Sequence, residues 1–342
     1  MQVPFPELES LTLSSGDPYM PVLPDSILDG SAPRLRYLSL NSFPFPALPK
    51  LLMSATHLVN LHLDNIPNSG YISPDAMATC LSVLTSLETF RLQFESPQSH
   101  PDPKSRRPFP LIRFVLPTLT MFWFIGAIKY VEEFVARIDA PRLSCFSPKF
   151  FGDIDFDTQE LNHFIIRTPT LGAYNEAHLV FRGDGARVTL RQSHPEPSGN
   201  IMVNMEIFKL PKPHRSTVAQ ICTLLHHLLT LTVEELYIDG DIIQLFVWGG
   251  DNTKWLDLFL LFTAVKNLYI SDAFLPRFVL VLQELTRGRI TEVLPSLQNI
   301  LFEGSLPSSK ADQEDIARFI SARQHPIAVS VWIGVNSYEV DG

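Results

Sequence analysis

The sequence predicts an α/β solenoid: a parallel β-sheet built from stacked repeats, with helical or irregular segments returning the chain on the other side. Three observations predict it: a recurring aliphatic phrase, its spacing, and apolar stretches of helical period between its copies. The phrase, L-x-x-L-x-L, stands as Leu8-Leu11-Leu13, Leu35-Leu38-Leu40 and Leu58-Leu61-Leu63. Looser copies begin at Leu87, Leu119, Leu143, Leu171, Val233, Val265 and Leu297. Steps between first positions run from 23 to 32 residues, except one of 62, which is two repeats with one copy disguised.

That period and phrase are those of a leucine-rich repeat. Within each copy the last two aliphatic residues point to one side of a short strand and the residues between them to the other. Stacked parallel strands need a crossover, so a return segment must follow each one. The expected form is a ribonuclease-inhibitor-like horseshoe of about ten or eleven repeats. It forms a single domain over 1–342, because each repeat touches only its neighbours and length does not enlarge one core.

The return segments follow in order. Pro24 to Asp29, Ala47 to Ser54, Pro74 to Leu84 and Ile128 to Ile138 are apolar at helical spacing. Glu160 to Arg167 is next, with Asp157 and Glu160 as an expected capping box. Thr217 to Leu229, Lys254 to Phe262 and Arg277 to Arg287 complete the set, and Gly288 stops the last. Between Ala177 and Ile207 the pattern alternates instead. Residues 177–192 read as a β-hairpin turning at Arg182-Gly183-Asp184-Gly185, decorating the edge of a sheet strand at Ile201 to Ile207. Residues 312–334 read as a closing cap of one helix and one strand.

Composition narrows the function. A net charge of -9 and pI of about 5.6 argue against nucleic acid, which is bound by clustered Lys and Arg. Three scattered cysteines, Cys80, Cys145 and Cys222, form neither a disulfide framework nor a metal motif, so a reducing compartment, cytoplasm or nucleus, is expected. The N-terminal residues Met1 to Pro6 lack the charged and apolar regions of a signal peptide. The uncharged run Phe114 to Ile128 contains Pro117 and a strand phrase, so it reads as a buried strand and not a membrane span.

Several phrases go beyond the generic repeat. They include Leu23-Pro24-Asp25-Ser26-Ile27-Leu28, Ala32-Pro33-Arg34-Leu35-Arg36-Tyr37-Leu38, Ile66-Pro67-Asn68-Ser69-Gly70-Tyr71-Ile72, Ala136-Arg137-Ile138-Asp139-Ala140-Pro141 and Ile316-Ala317-Arg318-Phe319-Ile320. Across essentially the whole chain these phrases resemble the F-box/leucine-rich-repeat family of mushroom-forming fungi. The resemblance implies a non-enzymatic recognition module. In that family an N-terminal F-box docks on the adaptor of a cullin-type ubiquitin ligase, and the repeats present a substrate protein. This chain departs from the pattern: repeat phrases at Leu8 and Leu35 leave no space for a three-helix F-box. A ligase adaptor is therefore expected as a partner only where an F-box precedes the repeats. The alternative is a stand-alone scaffold or sensor.

The candidate chemical motifs have structural readings. Asp153-Ile154-Asp155-Phe156-Asp157 opens like a calcium loop, but Thr158 and Phe164 stand where Gly and Glu are required. Gly249 to Lys254 lacks the ending of a phosphate loop, and His226-His227 lacks ligand partners at metal spacing. No catalytic residue, cofactor or metal is expected, and the protein is not expected to be an enzyme. The binding residues expected on the concave face are Tyr37, Asn60, His62, Arg91, Trp123, Glu235, Tyr237 and Tyr269. Aromatic residues and arginine dominate protein-interface hot spots, and Arg91 with Trp123 is the expected centre for a protein partner.

Overall fold

A computed structural model describes residues 5, 7–15, 22–23, 28, 32–96, 113–151, 158–171, 174–182, 185–192, 202–208, 233–240, 252–285, 291–323 and 325–333. The chain divides into two compact units. The first comprises Met1–Ala173 with His194–Lys209, the second Tyr174–Ser193 with Leu210–Gly342. Each is a mixed α/β structure built on a mostly parallel sheet.

The first unit carries strands β1 (Ser10–Ser14), β2 (Tyr37–Asn41), β3 (Asn60–Ile66) and β4 (Thr89–Phe94). Farther along lie β5 (Phe114–Val115), β6 (Met121–Gly126), β7 (Ile138–Asp139) and β8 (Cys145–Phe151). Within this unit the strand order is β1-β2-β3-β4-β6-β8 followed by Met202–Phe208, while β5 and β7 form a separate two-stranded sheet. Its helices are α1 (Leu48–Ser54), α2 (Pro74–Leu81), α3 (Ile128–Val135) and α4 (Gln159–Arg167), each in contact with the next.

Register explains the repeated phrase. Leu11, Leu38, Leu61, Phe90, Phe122 and Phe146 are successive partners across the parallel strands. From Leu38 onward all are fully buried. Phe90 stacks on Phe122 at 5.2 Å and Phe122 on Phe146 at 5.4 Å, so the aliphatic rungs give way to a column of rings. Phe134 of α3 and Phe164 of α4 close on that column from the helical side. A strand that points every second residue inward, paired in register with its neighbours, puts equivalent residues into one continuous core.

The second unit contains β9 (Glu176–Arg182) and β10 (Gly185–Arg191); we number Met202–Phe208 of the first unit β11. It continues with β12 (Glu235–Gly240), α5 (Asn252–Leu260), β13 (Asn267–Ile270), α6 (Leu275–Leu285), β14 (Asn299–Glu303), α7 (Lys310–Ser321) and β15 (Ala328–Trp332). The strand order is β10-β9-β12-β13-β14-β15, antiparallel between β10 and β9 and parallel elsewhere.

One expectation needs correction. The hairpin is no edge decoration, because β9 pairs in parallel with β12 over six residues and is itself a rung of the second unit's sheet. Asp157, expected to form a capping box with Glu160, lies outside the described residues. The N-cap of α4 is Thr158, which makes no side-chain cap bond, and the Glu132 carboxylate accepts the N–H groups of Glu160 and Leu161 instead. A carboxylate supplied by the preceding helix satisfies the same orphan donors that a local cap would. The helices expected at Pro24 to Asp29 and Thr217 to Leu229 fall wholly or largely outside the described residues, as does Asp153 to Asp157. The closing helix and strand are present as α7 and β15, yet Val329 and Val331, on the side that pairs with buried Ile300 and Phe302, are 39% and 43% exposed.

Candidate protein-binding faces

The side of each sheet opposite the buried rungs carries all eight expected binding residues, every one of them half-buried. In the first unit one row crosses the strands as Ser39, His62, Arg91, Trp123 and Ser147. The row beside it runs Tyr37, Asn60, Thr89, Met121 and Cys145. Arg91 and Trp123 are therefore direct cross-strand partners.

Tyr37 meets His62 edge to face at 5.4 Å, with its hydroxyl 3.5 Å from Nδ1. Burial lowers His62 below its ordinary pKa; Asp64 opposes that shift and Arg91 adds to it. Nε2 of His62 is buried with no hydrogen-bond partner. Arg91 forms an ion pair with Asp64 at 2.7 Å, and its cross-strand partner on β6 is Trp123. Asp64 belongs to the next outward position of β3 and was missing from the expected set; its two-residue offset from His62 was the available signal.

Past these rows the strand exits carry an amide chain. Asn65 donates to Asn41 Oδ1 at 3.0 Å, and Gln93 donates to Asn65 Oδ1 at 2.6 Å. Asn65 has φ +50° at a bulge between Leu63 and Ile66, a conformation Asn tolerates better than most residues. At the opposite ends of the strands a shallow depression is lined by Glu9, Arg34, Arg36, His57 and Glu88 among others, with both charge signs present.

In the second unit the corresponding row is His178, Tyr237, Tyr269, Leu301 and Ser330. Tyr237 is stacked on both faces, by His178 at 4.2 Å and Tyr269 at 4.0 Å, with ring planes within 7°. Trp332, two residues beyond Ser330, reaches back to Tyr237 and Tyr269 at 5.9 and 5.4 Å with its plane nearly perpendicular to theirs. Since both faces of Tyr237 are taken, the indole meets that ring at its edge. The next row brings together Glu176, Glu235, Asn267 and Asn299.

Glu235 accepts the Tyr237 hydroxyl at 3.0 Å, and Glu176 pairs with the His178 imidazole. Burial first, then the hydrogen bond with Tyr269 and the charge of Glu235, push the Tyr237 phenol far above its usual range, so it acts as a fixed donor. Glu235, Tyr237 and Tyr269 thus form one cluster, and His178, Glu176 and Trp332 belong to it unforeseen. The alternation through His178 was legible in the sequence, but assigning the hairpin to an edge hid its neighbours. The expected residues of the first unit form a separate cluster. Among the described residues no group of His, Cys, Asp or Glu is arranged to hold a metal, and no helix is long and apolar enough to cross a membrane. No family model matches the chain, and no curated protein matches it.

Proposed function

We propose that this chain is a leucine-rich-repeat solenoid that recognises another protein through the outward faces of its strands, as the substrate-presenting repeats of F-box receptors do. The observation supporting this reading most is the in-register row His62-Arg91-Trp123. Parallel pairing sets an arginine beside a tryptophan on a rigid sheet, and the Asp64 ion pair pre-orients that arginine. Residues held in place lose little conformational entropy on binding, which favours affinity. Trp and Arg are also the side chains that most often anchor interfaces.

The test is site-specific photo-crosslinking in extract, with the crosslinker placed at Arg91, Trp123 and Tyr269 in turn. Ile166 on α4 and Leu280 on α6, exposed on the helical side, serve as reference positions. Adducts to a common protein from the strand positions are expected. Adducts from the helical positions alone would overturn the reading. Recovery of a cullin-ligase adaptor with the gene's longest product would add the ligase role, and its absence would favour a stand-alone scaffold.

A further inference from the structure

The two strand faces use their charges differently. In the first unit, outward charges face opposite ones: Arg91 pairs with Asp64, and Lys149 with Glu206. In the second unit, the ends of three adjacent strands bring carboxylates together. Asp239 is the penultimate residue of β12, Asp272 follows β13, and Glu303 ends β14. Among the described residues, Asp239 accepts the Gly240 N–H at 2.8 Å and Glu303 accepts the Asp272 N–H, both backbone donors. Among the described residues no lysine or arginine pairs with these three. Burial and the charges of Asp239 and Asp272 raise the Glu303 carboxyl above its usual value, as expected for like charges without a cation between them. The cations on the same face, among the residues whose side chains are described, are Arg187 and Arg191, both on β10.

Beside those carboxylates lies the aromatic row, and His178 shows how it holds a planar nitrogen group. Its ring lies flat on Tyr237 while Nε2 meets the Glu176 carboxylate. A guanidinium is held the same way, stacked on a ring and paired to an acid. The faces of Tyr237 are already filled, which leaves the half-exposed indole of Trp332 as the ring offered to a newcomer. From β9 to β14 the row spans roughly 14 Å, about the reach of four extended residues. Side chains of an extended segment laid across the strands would therefore come within reach of the carboxylates of β12, β13 and β14.

We propose that the outward face of β9, β12, β13 and β14 in the second unit docks an arginine- and lysine-rich polypeptide segment. Its cations pair with Glu235, Asp239 and Glu303, and one of them lies over Trp332. This rests on the reading of the strand faces as protein-binding and names the partner's chemistry. The net charge of -9 favours the same partner at long range.

The test uses the purified full chain and a fluorescein-labelled peptide of five Arg-Gly repeats, followed by anisotropy at about 50 mM and about 300 mM salt. Binding that weakens with salt is expected. A variant carrying Glu235→Gln, Asp239→Asn and Glu303→Gln should bind about tenfold more weakly or worse. A reference variant carrying Glu292→Gln, Asp312→Asn and Glu314→Gln removes the same charge elsewhere and should bind as the parent does. Trp332→Ala should weaken binding about fivefold. Equal loss in the two triple variants, equal competition by free spermine and by unlabelled peptide at matched charge, or no binding at low salt would each overturn the proposal. If the first triple variant fails to fold, Glu303→Gln alone carries the comparison. Peptide failure with strand-face crosslinks intact would reject the basic partner only, whereas loss of both would reject the strand-face reading as well.

Discussion

The Glu132 carboxylate of α3 accepts the backbone N–H of Leu161 at 2.9 Å, so one helix caps the start of the next. The adjoining N–H of Glu160 meets the other oxygen at 3.1 Å. Glu132 is 9% exposed, and its removal would strand two donors at a buried helix start. Glu132→Ala should lower stability by about 1–3 kcal/mol, with Glu132→Gln recovering part of the loss. Chemical denaturation of both variants measures this, and parent-like stability of the alanine variant would refute the capping role.

Gly126 ends β6 where no side chain fits. A Cβ there would lie 2.8 Å from Phe124 Cζ and 2.9 Å from Phe94 Cδ2. Both rings are buried and packed on Tyr130, at 5.6 and 4.8 Å, so neither can retreat cheaply. Gly126→Ala should cost about 1–3 kcal/mol by overpacking. A thermal midpoint equal to the parent's would show that the ring cluster gives way easily.

Leu61 and Trp123 separate core from contact surface. Leu61 is fully buried in the aliphatic column, so Leu61→Ala should cost about 2–5 kcal/mol of stability. Trp123 lies half-exposed on the other side of its sheet, so Trp123→Ala should leave the fold largely intact. It should also remove about 2 kcal/mol or more of partner binding. Melting curves and partner titrations on both variants decide the matter. The contact role fails if Trp123→Ala melts like Leu61→Ala and binds normally per folded molecule.

His62 gives the fold a pH dependence. Burial lowers its pKa from 6.5; Asp64 opposes the shift and Arg91 reinforces it. Between the lowered value and 6.5 the unfolded chain holds the extra proton. The contribution is therefore complete above that window and is lost as pH falls through it. Melting at about pH 5.5 should come earlier than at neutrality, and His62→Gln should flatten the difference. An unchanged slope in that variant would place the acid sensitivity elsewhere.

Glu303 acts in the opposite sense. Its raised carboxyl makes the folded chain hold the proton longer, so stability declines as pH climbs from the ordinary carboxylate range through the raised value. Glu303→Gln should melt at neutral pH no lower than the parent, and marked destabilisation would contradict the strain among these carboxylates.

How far the sequence could be read follows from which interactions are local. Alternation along a strand is a property of consecutive residues, so the inward set Leu38, Leu61, Phe90 and Phe122 was visible in the phrase itself. The helices α1 to α4 were visible for the same reason, through their apolar period. The placement of Tyr37, Arg91, Trp123, Tyr237 and Tyr269 on the other side of the strands follows from the same alternation.

What those outward side chains touch was decided only by pairing between strands. His178 stacks on Tyr237 because β9 is a rung beside β12, and no run of consecutive residues encodes that neighbour. Trp332 reaches the tyrosines across β14, and Glu132 caps a helix that starts in the following return segment. The sequence by itself determined which face of each strand is core, because a period of two needs no partner to be read. The tertiary structure alone decided which outward residues form clusters, because contacts across a parallel sheet join residues a whole repeat or more apart.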